Sequence, residues 1–301
     1  MTTPTVLAEG FACAESPRWH AGELYFSDMY GHAVIAVTEA GSTRIVAEVP
    51  EVPTGLGWLP DGRLLIATQR GRRVLRQEPD GTLVTHADLA GVTISNLNDM
   101  WVDSQGRAYV GELGFDAEAL FAEIVQQHTS REAAVNALMT TVREQHPGRI
   151  HLIEPNGEHR IVDSATILPN GMTVDPDETH LYINASLAPA VLRFDVAPDG
   201  TLTAKTVITD LTFPPDGMSA LDTEGGFWIA DAEGHAALRL TPDGDVTDRI
   251  ETDRKCLAVA LGGTDGNTLF LCTTHNNDEH ESVNQRGSQI ATVRVTTPLA
   301  I

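Results

Sequence analysis

Four residues with oxygen-bearing side chains, Glu15, Asn98, Asn170 and Asp216, each stand at the head of a short apolar stretch. Two carboxylates and two amides make a hard donor set of the kind that suits Ca²⁺ or Mg²⁺, with Mn²⁺ or Zn²⁺ also accommodated. Two carboxylates bring a divalent ion close to neutral, so it stays electrophilic toward a carbonyl. Taken singly, Asn170 in Leu168–Met172 and Asp216 in Pro215–Met218 also read as turn residues, because Asp and Asn before Gly favour turns. The Pro-Asp-Gly runs at Pro60, Pro79, Pro198 and Pro242 are plainly turns. Asp216 differs from them in phase: it precedes the first strand of a pair, whereas they sit between paired strands. Glu15 is harder to read as a turn residue, because turns rarely select Glu. The metal reading therefore depends on whether the fold brings the four strand heads together.

An internal repeat supplies that fold. Gly55–Thr68, Asp99–Gly111, Gly171–Ile183 and Gly217–Ala230 share one plan: a short apolar strand, a turn with Asp, Asn or Gly, then a second apolar strand. Ser16–Phe26 and Leu257–Leu271 complete six copies. A second hairpin follows each copy, as in Arg73–Val84 and Ala237–Val246, giving four short antiparallel strands per unit. The units begin near residues 15, 54, 98, 170, 216 and 256, at steps of 39, 44, 72, 46 and 40. A period of about 40 residues and four strands predicts an all-β, six-bladed propeller, read as a single domain over 1–301. The long step places about 30 extra residues in Phe115–Pro147. There Leu120, Phe121, Ile124 and Val125 recur at helical spacing, as do Val135, Leu138, Met139 and Val142. Thr129–Glu132 fits a capping box for the second helix. Blade three is thus expected to carry a helical insertion between its second and third strands, over the face where the innermost strands begin. On that face the six strand heads are Glu15, Thr54, Asn98, Asn170, Asp216 and Cys256.

Composition narrows the class. With 20 Lys+Arg against 42 Asp+Glu the formal charge is −22, which argues against nucleic-acid or anionic-membrane partners. At 42% hydrophobic, the chain has ample material for a core. Cys13, Cys256 and Cys272 are too few and too scattered for a disulfide framework or a cysteine-rich zinc site. The N-terminus lacks the basic start and apolar run of a signal peptide, and no stretch reaches a membrane span of about 18–20 apolar residues. A soluble, cytoplasmic protein is expected. Its eleven histidines form no His-x-x-x-His motif, and His275–His280 reads as a solvated loop. No Gly-x-Ser-x-Gly elbow or phosphate-binding loop is present.

The runs Glu15–Trp19, Asn98-Asp99 before Val102–Arg107, Leu168–Met172 and Pro215–Met218 resemble the SMP-30/gluconolactonase/LRE family. The resemblance extends over essentially the whole chain outside the insertion. It implies that Glu15, Asn98, Asn170 and Asp216 ligate one divalent cation, Ca²⁺ foremost, in a six-bladed propeller that usually hydrolyses a lactone. It also implies Asp216 as the general base. Sugar-lactonase relatives often carry Arg two residues before the third-blade Asn; here that position is Asn96. Without the guanidinium, and with apolar insertion helices, a substrate less polar than an aldonolactone is expected. Asn96 is retained as a substrate-binding candidate, with Glu112 and Asn184 from the ends of second strands. Two alternatives stay open: a phosphotriesterase using the same cation, and a metal-binding propeller without catalysis.

Overall fold

The computed structural model describes residues 3–300, apart from 116–119, 121–122, 125, 128–129, 131–132, 134–136, 138–139 and 143–146. The strands form six four-stranded antiparallel sheets. Blade one comprises β2 (Ala14–His20), β3 (Glu23–Asp28), β4 (Ala33–Val37) and β5 (Thr43–Glu48). Blade two comprises β6 (Pro53–Trp58), β7 (Leu64–Thr68), β8 (Arg73–Gln77) and β9 (Leu83–Asp88). Blade three is β10 (Leu97–Val102), β11 (Ala108–Glu112), β12 (Gly148–Ile153) and β13 (His159–Thr166). Blade four is β14 (Pro169–Val174), β15 (His180–Ala185), β16 (Ala190–Val196) and β17 (Leu202–Asp210). Blade five is β18 (Pro215–Met218), β19 (Phe227–Asp231), β20 (Ala236–Leu240) and β21 (Val246–Glu251). Blade six contains β22 (Lys255–Gly262), β23 (Thr268–Thr274) and β24 (Ser288–Arg294), and its outer strand is β1 (Thr5–Phe11) from the other end of the chain. The pairing of β1 with β24 locks the ring shut. The sequence reading did not foresee it, because no turn links the two strands.

Burial follows the layering. Second strands such as β7 (LLIAT) and β19 (FWIAD) are buried along their whole length, since a neighbouring blade covers each face. Such strands read as continuous apolar runs, whereas the outermost strands β5 and β21 are mostly exposed. The core consists of layers between successive blades. Leu24 and Phe26 of blade one meet Phe270 and Cys272 of blade six. Tyr109 and Leu152 of blade three meet Met172 and Ile183 of blade four.

The innermost strands β2, β6, β10, β14, β18 and β22 neighbour one another around the axis. All six carry a β-bulge at the same place. The register shifts fall between Glu15 and Arg18, Pro53 and Leu56, Leu97 and Met100, Pro169 and Met172, Pro215 and Met218, and Cys256 and Ala258. A bulge bends the strand and re-aims side chains. Repeated six times, it turns each strand head toward the axis.

The expected insertion falls where blade three was expected to hold it, between β11 and β12. Its described residues Leu120, Glu123, Ile124, Ala133, Ala137 and Thr140–Val142 are helical, with Ile124 and Val142 buried. Phe121, Val125, Val135, Leu138 and Met139 lie outside the described residues, as do Thr129 and Glu132 of the expected capping box. Ser130 Oγ accepts from the Ala133 amide at 3.2 Å.

Candidate metal centre

One pocket of about 130 Å³ on the propeller axis is lined by Glu15, Asn98, Asn170 and Asp216 together. Cys13, Ser16, Met29, Tyr30, Thr54, Asp99, Leu257 and Asn277 complete its wall. The four oxygen-bearing candidates therefore converge, although they lie up to 201 positions apart in the chain.

Glycines explain why the strand heads come so close. A Cβ on Gly55 would overlap the Met100 amide, one on Gly171 the Met218 amide, and one on Gly217 would sit 2.5 Å from Ala258 Cβ. Their φ angles are not positive. The Gly in Asn170-Gly171 and Asp216-Gly217 thus serves the approach of the next inner strand. It does not make a tight turn, and this separates both sites from the Pro-Asp-Gly hairpins. Blades one and three hold Ser16 and Asp99 at the equivalent slots, and the Ser16 hydroxyl donates to Asp99 Oδ1.

Polar contacts from the second strands fix the heads. Asn184 Nδ2 donates to the Asp216 carbonyl at 2.6 Å, and Ser186 Oγ donates to the Pro215 carbonyl at 2.6 Å. Asn170 Nδ2 donates to Asp216 Oδ1 at 2.6 Å and to Ser186 Oγ at 3.1 Å. Asn98 Nδ2 donates to the Pro169 carbonyl at 3.3 Å. Thr54, the strand head of blade two, spends its hydroxyl on the Asn98 carbonyl at 2.9 Å. Beneath the pocket, Arg18 donates to the carbonyls of Pro17 at 2.9 Å and Met100 at 2.7 Å, with its guanidinium 5.3 Å from the Trp101 ring.

The electrostatics are those of crowded anions. Burial, then Asp216 and Asp99, hold the Glu15 carboxyl well above the usual carboxylate range. Burial, then Asp99, push the Asp216 carboxyl up to about 7, against the hydrogen bond from Asn170. Burial also raises Asp99, opposed by Arg18. Desolvated like charges destabilise one another, and a cation among them reverses the effect. Among the described residues no group of three His, Cys, Asp or Glu side chains converges as a metal cluster. The fit to a cation thus rests on the mixed set, two carboxylates plus two amides, which is oxygen chemistry suited to Ca²⁺ or Mg²⁺.

The other candidates sit elsewhere. Asn96 is half-buried and does not line the pocket; its carbonyl accepts from Leu113 N at 3.0 Å. Asn184 is fully buried and acts on the Asp216 backbone. Glu112 is fully buried too, accepting from Ile94 N at 2.9 Å and Ser95 Oγ at 3.3 Å and pairing with His151 Nε2 at 2.8 Å. Burial opposes its ionisation, yet His151 and the Ile94 amide hold it below the usual range. Asn277 lines the pocket from within the stretch read as a solvated loop, although His275 and His280 on either side are exposed as expected. Cys13 and Leu257 had no sequence signal beyond adjacency to a strand head.

The SMP-30/Gluconolactonase/LRE-like region matches residues 13–275, and the chain belongs to that family. A 6-deoxy-6-sulfogluconolactonase of Pseudomonas putida is 22% identical over 289 residues, covering 94% of this chain and 90% of that protein. Regucalcin of Oryctolagus cuniculus is 25% identical over 295 residues, covering 93% and 89%. Among solved structures, a calcium-binding protein, regucalcin, from Agrobacterium tumefaciens superposes with a TM-score of 0.74 at 19% identity, covering 99% of this chain and 97% of that one.

Proposed function

We propose that this protein is a divalent-cation-dependent lactone hydrolase whose substrate is less polar than a sugar lactone. The observation that carries the reading is the convergence of Glu15, Asn98, Asn170 and Asp216 on one axial pocket in a chain of this family. The names of its relatives support the reaction class, one being a sulfogluconolactonase, and a calcium-binding neighbour supports Ca²⁺ as the cation. Glu15, Asn98, Asn170 and Asp216 would hold the cation, which when bound supplies a Lewis acid that polarises the lactone carbonyl and steadies its developing oxyanion.

The remaining work falls to the protein. Asn170 occupies one oxygen of Asp216, and Asn184 with Ser186 fixes the backbone on either side, so the carboxylate is aimed before substrate arrives. Asp216 accepts a proton from the attacking water as its oxygen bonds to the acyl carbon. The acyl C–O bond then breaks, and the ring oxygen takes the proton back to give the free hydroxy acid. Cys13, Met29 and Leu257 form an apolar wall on the blade-six and blade-one side, backed by Val52 and Ala232. That wall suits an alkyl substituent. Glu112 and Asn184 do not line the pocket, Glu112 and the Asn184 amide nitrogen being spent on protein partners, and Asn96 supplies no guanidinium.

The test is acid release from γ- and δ-alkyl lactones, glucono-δ-lactone and an aryl phosphotriester, using EDTA-stripped and Ca²⁺-, Mg²⁺-, Mn²⁺- or Zn²⁺-restored protein. Alkyl lactones should exceed gluconolactone in kcat/KM by about tenfold or more, the worth of a fitted apolar group. Preference for gluconolactone would overturn the substrate assignment. Turnover of the phosphotriester alone would replace the reaction class, and no release with any cation would leave the pocket a non-catalytic ion site.

A further inference from the structure

A strap crosses the pocket mouth from blade six. It runs from His275 to Gly287 between β23 and β24 and contains one helical segment, α1 (Glu279–Gln285). Local bonds fold it: Asp278 Oδ1 accepts from Glu281 N at 3.1 Å, and the Asn276 carbonyl accepts from Thr274 Oγ1 at 2.7 Å and Ser282 Oγ at 3.1 Å. Its C-terminal end is anchored by Arg286, whose Nε donates to the Gly10 carbonyl of β1 in blade six at 2.8 Å and whose Nη2 donates to Asp28 Oδ2 of blade one at 3.3 Å. Its other end reaches blade two, where Glu279 pairs with Arg70 just beyond β7, one contact being Nη1 to Oε1 at 3.1 Å. The strap therefore bridges blades six and two over the top of blade one, and it is fixed at both ends.

What it carries over the pocket is Asn277. This side chain lines the mouth, is exposed, and makes no hydrogen bond among the described residues. Tyr30 also lines the pocket; among the described residues its hydroxyl makes no hydrogen bond, and burial keeps it protonated by raising it far above its ordinary value. Among the described residues, the other carboxylates, amides and hydroxyls lining the pocket each make at least one hydrogen bond within the ring of strand heads, as Ser16 does with Asp99 and Asn170 with Asp216. An amide and a phenol left unpaired at a mouth with an apolar wall on one side are suited to hydrogen-bond a neutral molecule bound beneath them.

We propose that Asn277 is a substrate-positioning residue, held over the pocket by the strap and its Arg70–Glu279 tether, and that it hydrogen-bonds the ring ester or a substituent of the lactone. The inference rests on the lactonase reading of the same pocket. It deepens that reading by assigning substrate contact to a blade-six loop instead of to Glu112 or Asn96.

The experiment compares wild type with Asn277→Ala, Arg70→Ala and the double variant, all Ca²⁺-loaded, on δ-hexalactone. Loss of one hydrogen bond predicts a KM about tenfold higher in Asn277→Ala with kcat within about twofold. Arg70→Ala removes one of the strap's two anchors at a residue that does not itself line the pocket, and should raise KM by less. The double variant should be no worse than Asn277→Ala alone, since both act through one contact. An unaltered KM in Asn277→Ala, or full additivity with Arg70→Ala, overturns the proposal. A second readout separates this from the reaction itself: calorimetric titration of 5-hydroxyhexanoate, the product, onto Ca²⁺-loaded protein. If wild type turns over no lactone, the lactonase reading fails, while weaker 5-hydroxyhexanoate binding in Asn277→Ala, by about tenfold, still supports the contact. Equal affinity in the two proteins, or no binding to either, overturns it.

Discussion

Adding Ca²⁺ to EDTA-treated protein should raise its melting temperature, and the ligand excess and chain length set the size of the effect. A ligand that binds only the folded state at a hundred times its Kd stabilises by about 2.7 kcal/mol. Unfolding entropy is about 2.1 cal/mol/K per residue, which for 301 residues gives roughly 0.63 kcal/mol/K. The expected shift is therefore about 4 °C, measurable by differential scanning fluorimetry. Burial and mutual repulsion raise Glu15 and Asp216, so the folded, cation-free state holds protons that the unfolded chain has lost. Such groups make stability fall as pH rises from their unfolded values, about 4, to the folded value, about 7 for Asp216. The cation competes with those protons, so its shift should be larger near pH 8 than near pH 5. Asp216→Asn removes one of two anionic donors and should cut the shift to about 1 °C or less at the same Ca²⁺ concentration. No shift with Ca²⁺, Mg²⁺, Mn²⁺ or Zn²⁺, or a full shift in both Asp216→Asn and Glu15→Gln, would refute the assignment of the donor set.

Three further outcomes follow from particular contacts. At Ca²⁺ raised to saturate the variant, Asp216→Asn should lower kcat by about 10²–10⁴-fold, the worth of general-base assistance, with an unchanged far-UV circular dichroism spectrum; near-wild-type turnover would remove Asp216 from the base role. Glu112→Gln should cost about 2–3 kcal/mol in urea unfolding, because a buried carboxylate held by Ile94 N, Ser95 and His151 loses its charge-assisted bonds. Glu112 is held below its ordinary value, so its contribution is present at neutral pH and disappears as pH falls below about 4; a variant as stable as wild type at pH 7 would contradict the network. Gly171→Ala should destabilise by more than the usual 1–3 kcal/mol of overpacking, since its Cβ would overlap the Met218 backbone, and it should weaken Ca²⁺ binding by parting β14 from β18. An unaltered melting temperature would show that the strand heads are not packed as tightly as the geometry requires.

The sequence by itself determined the architecture, because a propeller is periodic. Each blade repeats the same apolar pair joined by a turn with Asp, Asn or Gly, so local pattern counts the blades and puts their innermost strands in phase. Phase also selected Glu15, Asn98, Asn170 and Asp216, which the structure brings into one pocket. Tertiary structure alone decided what lies between those heads. Closure of blade six by β1 joins segments nearly 290 positions apart, and no local pattern encodes such a pairing. Glu112 and Asn184 carried the right chemistry at the right strand ends. Their partners His151 and the Asp216 carbonyl come from other strands, and those contacts turn them into supports of the site. Asn277 is the converse case, an ordinary polar residue in a polar loop that two distant anchors, Arg70 and Arg286, hold over the mouth. Pattern records which face a residue occupies; which partner meets it there is set by strands and loops that approach from elsewhere in the chain.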